Sequence, residues 1–156
     1  MYIIDTDILA SELLYKYQLD DSVKKTVAFY RKIPLMKRII PDFVVNEFEL
    51  FMTNVIPNRF LLHSGEKKQL SDIVVAYLRQ ISTNCTLIYP NRQIMKNAFL
   101  LYQQYKNDIA SNHISFTDSL LLATAIQMQY TILTLDQTVK GYASELRIPY
   151  FELKID

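Results

Sequence analysis

Three consecutive apolar or aromatic residues, Tyr2-Ile3-Ile4, stand near the start of the chain and stop abruptly at Asp5. A short run without polar alternation predicts a strand buried on both faces, as in the middle of a parallel sheet. Asp5-Thr6-Asp7 then supplies side chains able to cap a helix, and Leu9, Leu13 and Tyr17 recur behind it at helical spacing. The pattern breaks at Gln18-Leu19-Asp20-Asp21, and a second, more basic helix is predicted from Ser22 to Lys32, ended by Ile33-Pro34. Ile39-Ile40 predicts another short strand, and Pro41-Asp42 starts a third helix with Asp42 as its cap. At about 100° per residue, Val44, Phe48, Phe51 and Val55 form its apolar stripe, with Phe43 and Leu50 on the flank. Asn46, Glu49 and Thr53 make the polar side. Glu47 falls inside the apolar arc, where an acid is costly without a partner or an ion.

A loop is expected from Ile56 to Gly65, followed by a helix from Glu66 to Ile81 with Leu70, Ile73, Val74, Tyr77 and Ile81 at helical spacing. Cys85 to Tyr89 reads as a strand, and Pro90-Asn91 opens a helix that turns Ala98, Leu101, Tyr102 and Tyr105 inward. Asn107 to Ile114 is a polar loop. Ser115 and Asp118 then fit a capping box, ahead of a stretch through Ile126 that is apolar or small nearly all round. Such a helix is buried on several sides, and Ala123 and Ala125 would let it approach a sheet closely. Thr131 to Leu135 predicts a strand with Asp136 at its carboxyl end, followed by a short helix through Val139 and Lys140. Ile148 to Leu153 is a last strand, placed at an edge by Pro149. Strands separated by helices imply a parallel sheet with right-handed crossovers. If the Tyr2 and Thr131 strands are neighbours, their carboxyl ends meet where open α/β sheets bind ligands.

Composition narrows this little but usefully. A chain of 156 residues suits one domain spanning 1–156, and 50% hydrophobic with 21% charged residues excludes a disordered tail. The net charge of +1 is neutral on nucleic acid, yet six of the 17 Lys+Arg fall in Lys24, Lys25, Arg31, Lys32, Lys37 and Arg38. That group is either a solvated face or a nucleic-acid contact surface. Only two glycines are present, which excludes a glycine-rich phosphate loop. A single cysteine, Cys85, and no run approaching the ~20 apolar residues of a membrane span lead us to expect a cytoplasmic protein away from membranes. No signal peptide is expected either, since a basic region followed by a long apolar one is missing at the start.

The candidate chemistry is acidic. Asp5 and Asp136 end strands, while Glu47 and Asp118 lie in what read as first helical turns. Each has a mundane use as a cap or a solvated side chain; four in these positions are harder to explain separately. Clustered carboxylates need a cation, and an all-oxygen site suits Mg²⁺ or Mn²⁺ rather than Zn²⁺. His63 and His113 lack a metal-binding spacing to each other or to Cys85. With no paired Ser/His or Cys/His, water activated by a metal is the plausible nucleophile.

The stretches Ile3-Ile4-Asp5-Thr6-Asp7-Ile8-Leu9, Ile40-Pro41-Asp42-Phe43-Val44-Val45-Asn46-Glu47, Ser115 through Ala125 and Ile132-Leu133-Thr134-Leu135-Asp136 resemble the PIN-domain ribonucleases, in particular VapC-type toxins of toxin–antitoxin pairs. The resemblance spans nearly the whole chain, in the family's order. It implies a three-layer α/β/α sandwich on a central parallel sheet, with Asp5, Glu47, Asp118 and Asp136 catalytic and holding Mg²⁺ or Mn²⁺. The implied reaction is endonucleolytic hydrolysis of an RNA phosphodiester, and the implied partners are an antitoxin protein and a second copy of the chain. Asp7 departs from the Asn or Ser often found there, and either caps the helix or adds a ligand. The stretch between Glu47 and Asp118 is longer than in compact toxins. Two rivals stand beside this reading. One is a PIN-like fold without turnover, serving as a binding or scaffold module. The other is a HAD-type phosphatase with Asp5 as nucleophile and Asp7 as acid/base, which would need a paired-acid motif where Leu135-Asp136-Gln137-Thr138 has one acid.

Overall fold

Ile3 and Ile4 point to opposite faces of one strand, and both are fully buried. The same holds for Ile39 and Ile40. A sheet whose successive residues are all buried is covered on both faces, which makes the fold a three-layer α/β/α sandwich. The computed structural model describes residues 1–108 and 113–152. Its four strands, β1 (Tyr2–Ile4), β2 (Arg38–Pro41), β3 (Thr86–Ile88) and β4 (Thr131–Leu133), are ordered β3-β2-β1-β4. All pairs are parallel, with Ile3 opposite Ile39 on one side and Ile132 on the other. The chain starts in β1, steps outward through β2 and β3, and returns on the far side as β4. The order therefore switches at β1, beside β4, as the sequence suggested.

The helices are α1 (Thr6–Lys16), α2 (Lys24–Lys32), α3 (Asp42–Leu50), α4 (Ile56–Arg59), α5 (Ser64–Asn84), α6 (Arg92–Tyr105), α7 (Phe116–Met128) and α8 (Gln137–Glu145). Every residue of α7 from Ser119 to Ala125 is buried, which answers its all-round apolar pattern. Ala125 belongs to the main core, whereas Ala123 packs with Ile94, Ala98 and Leu120 in a satellite core between α6 and α7. With two glycines in the chain, left-handed positions fall on Gln18, Leu61, Gln129 and Arg147. Gln129 caps the end of α7 in this conformation.

The largest departure from the sequence reading lies between Glu47 and Gly65. The stripe expected on Val44, Phe48, Phe51 and Val55 assumes α-helical phase throughout. Residues Phe51–Val55 instead form a π turn, which takes up an extra residue per turn and runs directly into α4. The inward positions become Val44, Phe48, Met52 and Ile56, all fully buried, while Val55 and Leu50 are exposed. The loop expected from Ile56 is thus helical to Arg59, and α5 begins at Ser64 rather than Glu66. Asp42 is not the cap of α3; Pro41 occupies that position and Asp42 is the first helical residue. Glu47 sits in the second turn and is exposed, so it escapes the burial expected of it. The first basic helix starts at Lys24 rather than Ser22, and α8 extends five residues beyond Lys140 to Glu145.

At the other edge, Ile148 to Leu153 does not form a strand among the described residues. It makes one parallel bridge, Ile132 to Tyr150, with the Ile132 N–H donating to the Pro149 carbonyl at 2.9 Å. Leu153 and part of the expected 107–114 loop lie outside the described residues.

The π turn fixes a phase that substitution can read. Ile56→Ala should cost about 2–5 kcal/mol, as for other fully buried large apolar side chains, while Val55→Ala should cost about 0.5 kcal/mol or less. Urea unfolding of the two variants checks this; equal losses would restore the regular α-helical phase.

Candidate active site

Strand β1 delivers Asp5 to the carboxyl edge of the sheet, and the Asp5 N–H still donates to the Leu133 carbonyl of β4 at 3.1 Å. Asp5 caps α1, its Oδ1 accepting from the Thr6 N–H at 2.7 Å. Its Oδ2 accepts from the Thr134 hydroxyl at 2.6 Å. Thr134 is buried just past the end of β4, and its oxygen accepts in turn from the Asp136 N–H at 3.0 Å. Asp7 Oδ2 lies 3.3 Å from the same hydroxyl and accepts from the Leu135 N–H at 2.8 Å. This is why β4 stops at Leu133 instead of running to Leu135: the next backbone donor is turned onto a side chain of α1. One hydroxyl has one proton, so the shorter bond to Asp5 takes it and Asp7 rests mainly on Leu135.

The other acids reach the same edge from elsewhere. Asp136 caps α8, accepting from the Thr138 N–H at 2.7 Å and the Val139 N–H at 3.4 Å through Oδ1 alone. Asp118 completes the expected capping box: its Oδ2 accepts from the Ser115 N–H and its own N–H donates to Ser115 Oγ, both at 3.0 Å. Glu47 reaches over from α3 and its Oε2 accepts from the Thr6 hydroxyl at 2.8 Å. Asp5, Asp7, Glu47, Asp118 and Asp136, with Thr6, Ala10 and Phe51, line one open cleft of about 170 Å³.

No lysine or arginine lines this cleft, and the electrostatics follow from that. Burial, reinforced by the Asp7 charge and by Glu47, raises the Asp5 pKa well above the usual carboxylate range against the hydrogen bonds from Thr134 and Thr6. Burial likewise pushes Asp7 to about 6, with the Leu135 and Thr134 hydrogen bonds opposing and Asp136 adding repulsion. Asp118 is raised by burial too, against its bonds with Ser115 and with a further push from Asp136. Asp7 Oδ1 is buried and has no hydrogen-bond partner among the described residues. Among the described residues, no three acidic, histidine or cysteine side chains are already closed into an ion cage. The donor set is oxygen only, which suits a hard divalent cation.

The basic residues singled out in the sequence are not brought here. Arg38 pairs with the first residue of β1, at the amino edge of the sheet, roughly 10 Å of strand away from Asp5. Its side chain is buried: Nε donates to the Ile33 carbonyl at 2.9 Å, and the guanidinium lies 4.3 Å from the centroid of the Tyr30 ring. Arg38 therefore leaves the set of surface cations, because it holds the end of α2 against β2. Lys24, Lys25, Arg31, Lys32 and Lys37 are exposed, with Arg31 beside Glu12 at 3.9 Å. Thr134 is the residue that reading by charge overlooked. Its signal was a hydroxyl between a buried strand and an acid two residues on, Leu133-Thr134-Leu135-Asp136.

This fold is that of a known class. The family model described as PIN domain matches residues 2–144, and the chain belongs to the PIN domain family. That membership sets aside the phosphatase reading. No curated protein matches the chain. Among solved structures, FitAB bound to an IR36 DNA fragment superposes with a TM-score of 0.71 at 17% identity, covering 99% of this chain and 98% of that one. VapC20 of Mycobacterium tuberculosis, described as a Sarcin-Ricin loop cleaving toxin, gives 0.65 at 13% identity over 91% and 95%. VapBC2 of Rickettsia felis, bound to a fragment of its promoter DNA, gives 0.59 at 17% identity over 97% and 98%. At these identities the likeness is one of fold.

The raised acids make stability depend on pH in a definite direction. A carboxyl whose pKa is higher folded than unfolded binds more protons in the folded state, so stability falls as pH rises through that window. For Asp7 the window runs from 3.8 to about 6, which corresponds to about 3 kcal/mol at most. With EDTA present, Asp7→Asn should be more stable than wild type at pH 7.5 and nearly equal to it at pH 4. Urea titrations at the two pH values check this; a variant that loses stability equally at both would contradict the charge account.

Proposed function

We propose that this chain is a divalent-metal-dependent endoribonuclease, acting as the toxin of a toxin–antitoxin pair. The observation that carries the reading is the convergence of five carboxylates on one cleft without a cation in its lining, one of them with a buried, unpartnered oxygen. Charges arranged so are destabilising for the fold alone and become useful when a cation joins them. Asp5, Glu47, Asp118 and Asp136 would hold Mg²⁺ or Mn²⁺, and Asp7 fits the same group through Oδ1. When bound, such an ion lowers the pKa of water and offsets charge on a phosphodiester.

The chain's own part in the reaction is positional. Thr134 and the Thr6 N–H fix both oxygens of Asp5. The Thr6 hydroxyl steadies Glu47 at the exposed lip, where it can take a proton from an incoming water. Asp118 reconciles its two readings: one oxygen serves the capping box, and the side chain still lines the cleft. Capping thus orients the acid instead of competing with a role in the site. In this reading all 156 residues work as one domain in the cytoplasm, with RNA as substrate. Its partners are an antitoxin protein and a second copy of the chain; no described helix is long and apolar enough to cross a membrane. The resemblance to VapC-type toxins of toxin–antitoxin pairs is the basis for expecting an antitoxin.

Asp118→Asn separates this reading from a merely structural acid. Asn keeps an oxygen for the Ser115 N–H, so with EDTA the variant should unfold no more easily than wild type. Mn²⁺ at about 100 times its dissociation constant should stabilise wild type by roughly 2.7 kcal/mol and the variant much less, with cleavage of a mixed RNA pool greatly reduced. Thermal unfolding with EDTA or Mn²⁺, together with the cleavage assay, measures this. An undiminished Mn²⁺ shift would remove Asp118 from the site, and RNA degradation insensitive to EDTA would end the metal mechanism. Metal binding without cleavage would favour the binding module.

A further inference from the structure

The cleft has one side that the acids do not explain. Beside the carboxylates part of its lining is apolar, Ala10 and Phe51, and Phe51 is there because of the π turn. In regular α-helical phase Phe51 would follow Phe48 into the core. The π turn sends Met52 and Ile56 inward instead and leaves the Phe51 ring half-buried, packed against the margin of the core and lining the cleft. Turns of this kind are uncommon and often mark functional positions. Arg59, exposed at the end of α4, holds its guanidinium carbon 5.6 Å from the centroid of the Phe51 ring. No carboxylate pairs with Arg59 among the described residues. A polyanion entering a cleft of five carboxylates meets repulsion, and Arg59, though not itself in the lining, is a cation against one of the lining residues.

We infer that Phe51 and Arg59 form a nucleobase subsite that receives an unpaired base next to the scissile phosphate of a single-stranded RNA. The base stacks on the Phe51 ring, and the Arg59 guanidinium contacts the adjoining phosphate. A flat aromatic face joined to an arginine is how single strands are held without sequence-specific hydrogen bonds. A base inside a duplex does not present its face for such stacking, so the subsite selects unpaired strands. This rests on the ribonuclease reading and adds to it the part of the substrate that is gripped.

The test uses the full-length protein with Mn²⁺ and a pool of single-stranded 12-nucleotide RNAs of mixed sequence. Phe51→Leu keeps apolar volume and removes the ring, Phe51→Trp keeps a ring, and Arg59→Gln is a surface change. Phe51→Leu should raise KM about tenfold, with kcat within about twofold and the Mn²⁺-induced thermal shift unchanged. Phe51→Trp should retain a wild-type KM. Arg59→Gln should raise KM and flatten the salt dependence of RNA binding by roughly 0.7, the slope of one phosphate contact. Unchanged KM in both Phe51→Leu and Arg59→Gln would overturn the subsite, as would equal losses in Phe51→Leu and Phe51→Trp. If Phe51→Leu unfolds, the Arg59→Gln result decides alone. Wild-type protein that neither binds nor cleaves the pool would instead overturn the ribonuclease reading, and the subsite with it.

Discussion

Two aspartates that share a hydroxyl in a half-buried corner are the constraint on which the rest of this structure turns. Asp5 and Asp7 both sit against Thr134, at 2.6 and 3.3 Å, with no protein cation lining their cleft. Two like charges ~4 Å apart repel by about 4 kcal/mol at an effective dielectric of 20, so the arrangement resists its own ionisation. The fold holds it together through neutral donors, the Thr6 and Leu135 N–H groups and the Thr134 hydroxyl. Those donors orient the carboxylates without neutralising them. The site keeps its negative potential for a ligand of opposite charge.

The sheet order makes that corner. Because β1 is central and β4 returns on its far side, two strand ends meet with no third strand between them. Helix α1 leaves one end capped by Asp5, and α8 leaves just beyond the other capped by Asp136. Helix α7 starts at the same edge with Asp118 in its capping box. Helix N-termini favour negative charge, so three acids are stabilised by local capping while they are gathered. Glu47 comes from the second turn of α3 and owes its place to the Thr6 hydroxyl instead.

Much of this was legible because it is local. Ile3-Ile4 announced a buried strand and Ile39-Ile40 a short one, the apolar α7 announced a buried helix, and Ser115 with Asp118 announced a capping box. Asp5 and Asp136 were legible as neighbours because strand ends in a parallel sheet share an edge. The misses have a common cause, namely that they depend on partners distant in sequence. The phase of the Phe48–Ile56 segment follows from a π turn that no single-residue preference marks. Arg38 looked like a surface cation and is buried, because Tyr30 and the Ile33 carbonyl are there to receive it. Thr134 looked like one more β-branched strand residue, and its role exists only once α1 lies beside the end of β4. The edge strand expected at Ile148 shrinks to a single bridge next to Ile132.

The central claim is that these carboxylates are gathered to hold a divalent cation. It is tested most directly by crystals soaked in Mn²⁺, with diffraction recorded at a wavelength where manganese scatters anomalously. The account predicts an anomalous peak inside the cleft, ligated by Asp5 and by at least one of Glu47, Asp118 and Asp136, with the Thr134–Asp5 hydrogen bond intact. A saturating soak that leaves the cleft without a peak, or places manganese only on acids elsewhere on the surface, would contradict it.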